Sequence, residues 1–276
     1  MLKSGGDSMA EQKAQVFNSK RILNSLQGSY VPIAAIIVVL MMFIPLPKTL
    51  IDIAMVLNIA ISLVILLTVL YVKQPSDFSS FPRIILFVTM FGLALNISST
   101  RLILTQTGTN INQLMNNQSE MVKTFAQIVT GDNLVVGFII FIILVVVQVV
   151  VVTKGAGRVS EVSARFSLDS MNNKMFDIQN EVNSGVITAE EGELKKKRLR
   201  QEIDFYSNMD GASKFVSGNV KAGIFITVVN LIGGMITGMV FGRMSAGDAL
   251  QSYAKLTIGD GLLSQLPALI LSFSTT

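Results

Sequence analysis

The chain has 276 residues and a net charge of +4; half its residues are hydrophobic and only 14% are charged. A soluble domain carries nearer a quarter charged residues, so this is the composition of an integral membrane chain. Cys and His are both absent, which excludes disulfides, thiolate metal centres and imidazole as base, ligand or near-neutral proton carrier.

Proton handling in such a chain falls to carboxylates, Lys or water. The small positive charge reads as topological bias, not as affinity for nucleic acid. No nucleophile–base pair or metal-ligand cluster stands out, and GAG at 155–157 lacks the strand–helix context of a nucleotide fingerprint. An enzyme is not expected.

In chain order, residues 1–30 form a polar tail, with no small-residue cleavage site after the apolar run that follows. That run, 31–47, reads as a first span ended by Pro45 and Pro47. A second covers 50–72 and opens with Asp52, and Pro75 and Pro82 bracket a short turn. A third runs from about Ile84 to Leu104, with a polar second half in Asn96, Ser98, Ser99, Thr100 and Arg101. Residues 105–131 are polar and partly helical in pattern; 133–153 make a fourth span, 222–242 a fifth, and a sixth begins near Ile258. These lengths suit the roughly 20 residues needed to cross the hydrocarbon. The fold class is therefore all-α: a polytopic helical protein of about six spans. Its parts are the tail 1–30, spans one to four at 31–153, a loop at 154–221, and spans five and six at 222–276.

Lys and Arg are concentrated in the tail, the second turn and the 154–221 loop. The positive-inside rule then puts the N-terminus and this loop in the cytoplasm. Within the loop, Thr188 and Glu191 form a capping-box pattern, and Gly185 is a natural stop for the preceding helix. Met175, Ile178 and Val182 share a helix face, and Glu191–Lys195 and Glu193–Lys197 have the spacing of ion pairs. A helical hairpin follows. The run Lys195–Arg200 is a solvated helix face on this pattern, with anionic lipid or a partner subunit as the alternative.

Charges in or beside apolar spans face protein or water rather than lipid. Asp52, Arg101, Asp260 and the pair Asp210/Lys214 are the candidates for ion coupling and gating. Asp52 stands at a helix start and Asp260 between Gly259 and Gly261. Arg158, Arg165 and Asp169 form a candidate switch cluster, the last two at i,i+4. Gly234, Gly238 and Gly242 repeat every four residues and predict a close-packing face, within the chain or between subunits.

Six stretches resemble the FHIPEP family, the large membrane component of the type III protein export gate. They are LALNISSTRLIL, VTKGAGRVSEVSARFSLDSM, NSGVITAEE, DFYSNMDGASKFV, AGIFI and LTIGDGLLSQLPALI, in the family's order and spacing. The chain departs from the family pattern at Gly92, at Asn172–Asn173, and at Asn219, where members commonly carry an acid linked to ion coupling.

The resemblance implies a homo-oligomeric ring in the bacterial inner membrane that couples a proton or sodium gradient to export of flagellar proteins, with no cofactor beyond that ion. DFY before MDGASKFV favours the flagellar branch over the virulence-secretion branch. Implied partners are other copies of the chain, other gate subunits and membrane lipid. Exported proteins and their chaperones would dock on a further soluble domain, so the chain reads as a fragment. A small-solute transporter or channel is the rival reading, weakened by the lack of inverted-repeat symmetry.

Overall fold

In a computed structural model, nine helices follow one another among the described residues, which are 30–72, 78–106, 108, 111–131, 133–150, 155 and 157–275. No strand occurs among these residues. The tail through residue 29, the turn around Pro75, the end of the fourth expected span at 151–153, and Lys154 and Ala156 lie outside them.

The first helix, α1, is Tyr30–Phe43, and α2 is Lys48–Tyr71. Pro45 and Pro47 separate them, because proline cannot donate the amide that would carry a helix across. Helix α3, Phe81–Thr105, takes Pro82 in its first turn, where that missing amide costs nothing. Two short helices follow, α4 (Ile111–Asn117) and α5 (Glu120–Thr130). Helix α6, Leu134–Gln148, is capped by the Asn133 side chain and meets α5 at a bend of 100°.

Helix α7, Gly157–Asn183, ends at Gly185, whose φ of +72° is the left-handed conformation expected of a glycine stop. Helix α8 then runs unbroken from Ala189 to Val240. Its first turn carries the capping box in full. The Thr188 hydroxyl accepts from the Glu191 amide, and the Glu191 carboxylate accepts from the Thr188 amide. The last helix, α9, is Ala246–Ser274 and begins a dozen residues before the sixth expected span.

Four helices are long and apolar enough to cross a membrane, α2, α3, α8 and α9, or five spans if bent α5–α6 counts as one. The expected first span is shorter than its sequence suggested. Its helix stops at Phe43 after 14 residues, about 21 Å of rise against a hydrocarbon core of about 30 Å. Helix α8 passes through the expected loop–span boundary at 221/222 without a break. Once the capping box starts the helix, no proline interrupts it, so the charged loop and the fifth span share one rod.

Helix α9 is the hub, touching α2, α3, α4, α5, α6 and α8. Its small residues admit close neighbours. A side chain at Gly234 or Gly238 of α8 would run into the Tyr253 ring of α9, so two of the three repeated glycines pack within the chain. Gly242 instead lies close to the carbonyls of Gly238 and Gly108.

The α7–α8 hairpin closes on its own small core of Met171, Ile178 and Leu199, with Met175 and Ile187 at the edge. Its ion pairs differ from the expected i,i+4 set. Lys195 reaches across to Glu181, and Lys196 lies near Glu193 at 3.7 Å. The neighbouring helix offers Lys195 a partner at 2.5 Å, so the bond ties the two helices together instead of lining one of them.

Candidate functional site: a buried acid on three helices

The polar half of α3 faces inward. Asn96, Ser98 and Ser99 are all buried, on a helix whose first half is apolar. Asp260 of α9 is 1% exposed and meets this face. The Ser99 hydroxyl donates to its Oδ1 at 2.5 Å, and the Asn230 amide of α8 donates to its Oδ2 at 3.0 Å. Two helices thus donate one hydrogen bond each to a carboxylate carried by a third.

The flanking glycines explain how the acid is sealed. A β-carbon at Gly259 would collide with the Val122 carbonyl of α5, and one at Gly261 would stand 2.9 Å from the Phe141 ring of α6. A carboxylate has about four acceptor positions, and two donors leave capacity over. Close by, Asn230 Oδ1 and Thr257 Oγ1, the latter one turn before Asp260, are buried without a hydrogen-bond partner among the described residues. Unsatisfied buried acceptors are costly, and each needs an explanation.

The other candidate charges do something different. Asp52 accepts from the Ser119 hydroxyl and from the amides of Glu120 and Met121 at 3.2 and 3.1 Å. It caps the N-terminus of α5, whose orphan donors and positive dipole end suit a carboxylate. Arg101 donates to the carbonyls of Phe43 and Met42 at 2.7 and 2.6 Å, and Ser98 donates to Met41 at 2.8 Å. It holds the C-terminal end of α1, which suits a cation for the complementary reason.

Asp210 and Lys214 pair at 2.7 Å on α8. They border a cleft of about 240 Å³ with Glu161, Arg165 and Asp169 of α7. Arg165 lies 3.8 Å from Glu161 and makes no pair with Asp169 among the described residues. Arg158 is exposed two turns earlier, and Asn219 is half-buried on α8.

The five coupling candidates therefore do not form one constellation. Asp260 stands alone in the bundle, Asp52 and Arg101 bind helix ends, and Asp210/Lys214 sit at the foot of the hairpin with the switch candidates. Sequence reasoning passed over Asn230, although a lone carboxamide in the apolar run VVNLIGG was a usable signal. Ser119 and Tyr253 carried no comparable mark.

The FHIPEP family profile matches residues 38–276. The chain belongs to the FHIPEP family. Among curated relatives, it is 50% identical over 251 residues to the flagellar biosynthesis protein FlhA of Treponema pallidum, covering 90% of this chain and 34% of that protein. Identity to FlhA of Borreliella burgdorferi is 47%, over 92% and 36% of the two chains. For FlhA of Salmonella typhimurium it is 43%, over 87% and 34%. The chain spans about a third of the length of these relatives. No solved structure matches. The resemblance carried by the six sequence stretches is thus extended over residues 38–276 of this FHIPEP chain.

Proposed function

We propose that this FHIPEP chain is the membrane portion of a flagellar type III export gate subunit, and that it couples an ion gradient to the passage of flagellar proteins. The observation that carries the coupling step is Asp260, enclosed by α3, α8 and α9 with a hydroxyl and a carboxamide as its only polar contacts among the described residues. An ionisable group so deep in an apolar bundle marks an ion or proton path more often than a scaffold. Gain or loss of one proton or cation there changes what Ser99 and Asn230 can donate to, and so biases how three helices pack. The chain acts without a cofactor and without enzymatic chemistry, in the bacterial inner membrane. Its N-terminus and hairpin share the cytoplasmic side, which requires short α1 to cross a locally thinned bilayer in addition to the five spans. It works alongside other copies of itself and other gate subunits; exported proteins and chaperones would engage the remainder of the full-length protein.

The test is Asp260→Asn in the full-length protein, scored by secretion of flagellar proteins and by swimming. Asn keeps the shape and one acceptor, so membrane insertion and protein level stay at wild type while export falls at least about tenfold. Wild-type swimming with Asn at this position would overturn the assignment.

A further inference from the structure

Helix α7 carries apolar side chains on two faces. One, with Ala164, Met171 and Ile178, is buried against α8. The other begins at the membrane end of the helix: Val159, Val162 and Phe166 are 50%, 47% and 72% exposed. At 100° per residue these three fall within about 60° of one another, opposite the buried face. Arg158 and Arg165, seven residues apart, run along one edge of this stripe, and both are exposed.

The depth of the stripe follows from the register of the hairpin. Lys174 pairs with Glu202, Glu181 with Lys195, and Gln179 with Lys196. Continued towards the membrane, this antiparallel register sets Phe166 level with Met209 and Val159 level with Val216. Met209 and Val216 pack in one cluster with Phe81, Ile85 and Val88 of α3, Ile65 of α2, and Ala268 and Leu271 of α9, all on membrane-crossing helices. Ala164 also lines a cavity with Val72, Phe81 and Thr275, where those helices reach the hairpin side. The first turns of α7 therefore lie beside the ends of the spans, not beyond them.

We infer that the first three turns of α7 are seated in the headgroup–acyl boundary of the leaflet on the hairpin side. Val159, Val162 and Phe166 contact acyl chains, and Arg158 and Arg165 bind the phosphates of anionic phospholipid. An apolar stripe flanked by Arg at this depth is the pattern of an interfacial helix, and Arg matches phosphate geometry better than Lys does. Glu161 lies 3.8 Å from Arg165 and offsets part of its charge. Arg158 has no ion pair among the described residues. The inference stands on the membrane location of the chain and is independent of ion coupling at Asp260.

The chain contains no Trp, so Val159→Trp, Phe166→Trp and Phe176→Trp each give one emitter. In vesicles of phosphatidylcholine and phosphatidylglycerol with brominated acyl chains, quenching is strongest for Trp at 159, and Trp at 166 is quenched about twofold. Trp at 176, exposed on the same helix about 15 Å further out, is quenched by aqueous iodide and not by bromolipid. Equal bromolipid quenching at 166 and 176 overturns the seating. So does protection of Trp at 166 from both quenchers, which would mean that protein, such as a second copy, covers the stripe. With bromine on phosphatidylglycerol alone, quenching of Trp at 166 exceeds that with bromine on phosphatidylcholine alone. Arg158→Gln with Arg165→Gln abolishes that preference; its persistence refutes headgroup binding by the pair.

Discussion

Asp260 and Tyr253 lie two turns apart on α9, and each is fitted to α8 in its own way. Asp260 takes a hydrogen bond from Asn230, while Tyr253 lays its ring on Gly234 and Gly238. A β-carbon at Gly238 would stand 2.7 Å from the Tyr253 ring. Gly238→Ala should therefore lower the thermal stability of the detergent-solubilised chain, by about 1–3 kcal/mol for an overpacked contact. Adding Tyr253→Leu should return part of that loss, because the two changes share one contact. Additive losses in the double variant would show that the ring is not the obstacle. At the hairpin tip, the Thr188 amide and hydroxyl hold the Glu191 carboxyl below its usual value, and Lys195 adds to the effect. A depressed carboxyl stabilises the fold above its ordinary pKa and loses that contribution as pH falls through the folded value. Protection factors of the amides at 187–192, taken relative to intrinsic exchange at each pH, should accordingly fall on acidification below the ordinary Glu range, and Glu191→Gln should flatten that dependence.

Two elements are tied at their ends by charged side chains from other helices. Arg101 closes the last carbonyls of α1, and Asp52 closes the first amides of α5. Replacing Arg101 with Met removes two charge-assisted bonds and leaves the length of the side chain. Amide exchange across 38–43 should then rise severalfold with little change in α2, since the short α1 owes much of its attachment to that one residue. Unchanged exchange there would mean that lipid or packing holds α1. Much of this level was legible in the sequence: the capping box, the Gly185 stop, the proline breaks and the hairpin all follow local rules with short reach. The targets of Asp52 and Arg101 did not, because a carboxylate in the second turn of α2 and an amide 68 residues away share no periodicity. The unbroken α8 was hidden for another reason. Hydropathy divides it at the point where its polar half gives way to oil, while backbone geometry recognises no such division.

For the molecule as a whole, the orientation proposed above puts the hairpin and the α4–α5 segment on opposite sides of the bilayer, with bent α5–α6 crossing as one span. The chain has no Cys, so single cysteines report topology without background. Cysteine at exposed Val186 should resist a membrane-impermeant maleimide in intact cells and react in inverted vesicles. Cysteine at exposed Gln127 should show the reverse. The same side for both would refute the orientation. Seated so, α8 places Asn230 in the bundle and Ala189 at the far tip of the hairpin on one continuous rod. The 41 residues between them span about 60 Å, so a tilt of about 5° pivoting at Asn230 sweeps Ala189 through about 5 Å. Helix α8 is thus one continuous length of backbone from the buried acid to the hairpin tip, so any tilt about Asn230 is magnified along its long arm.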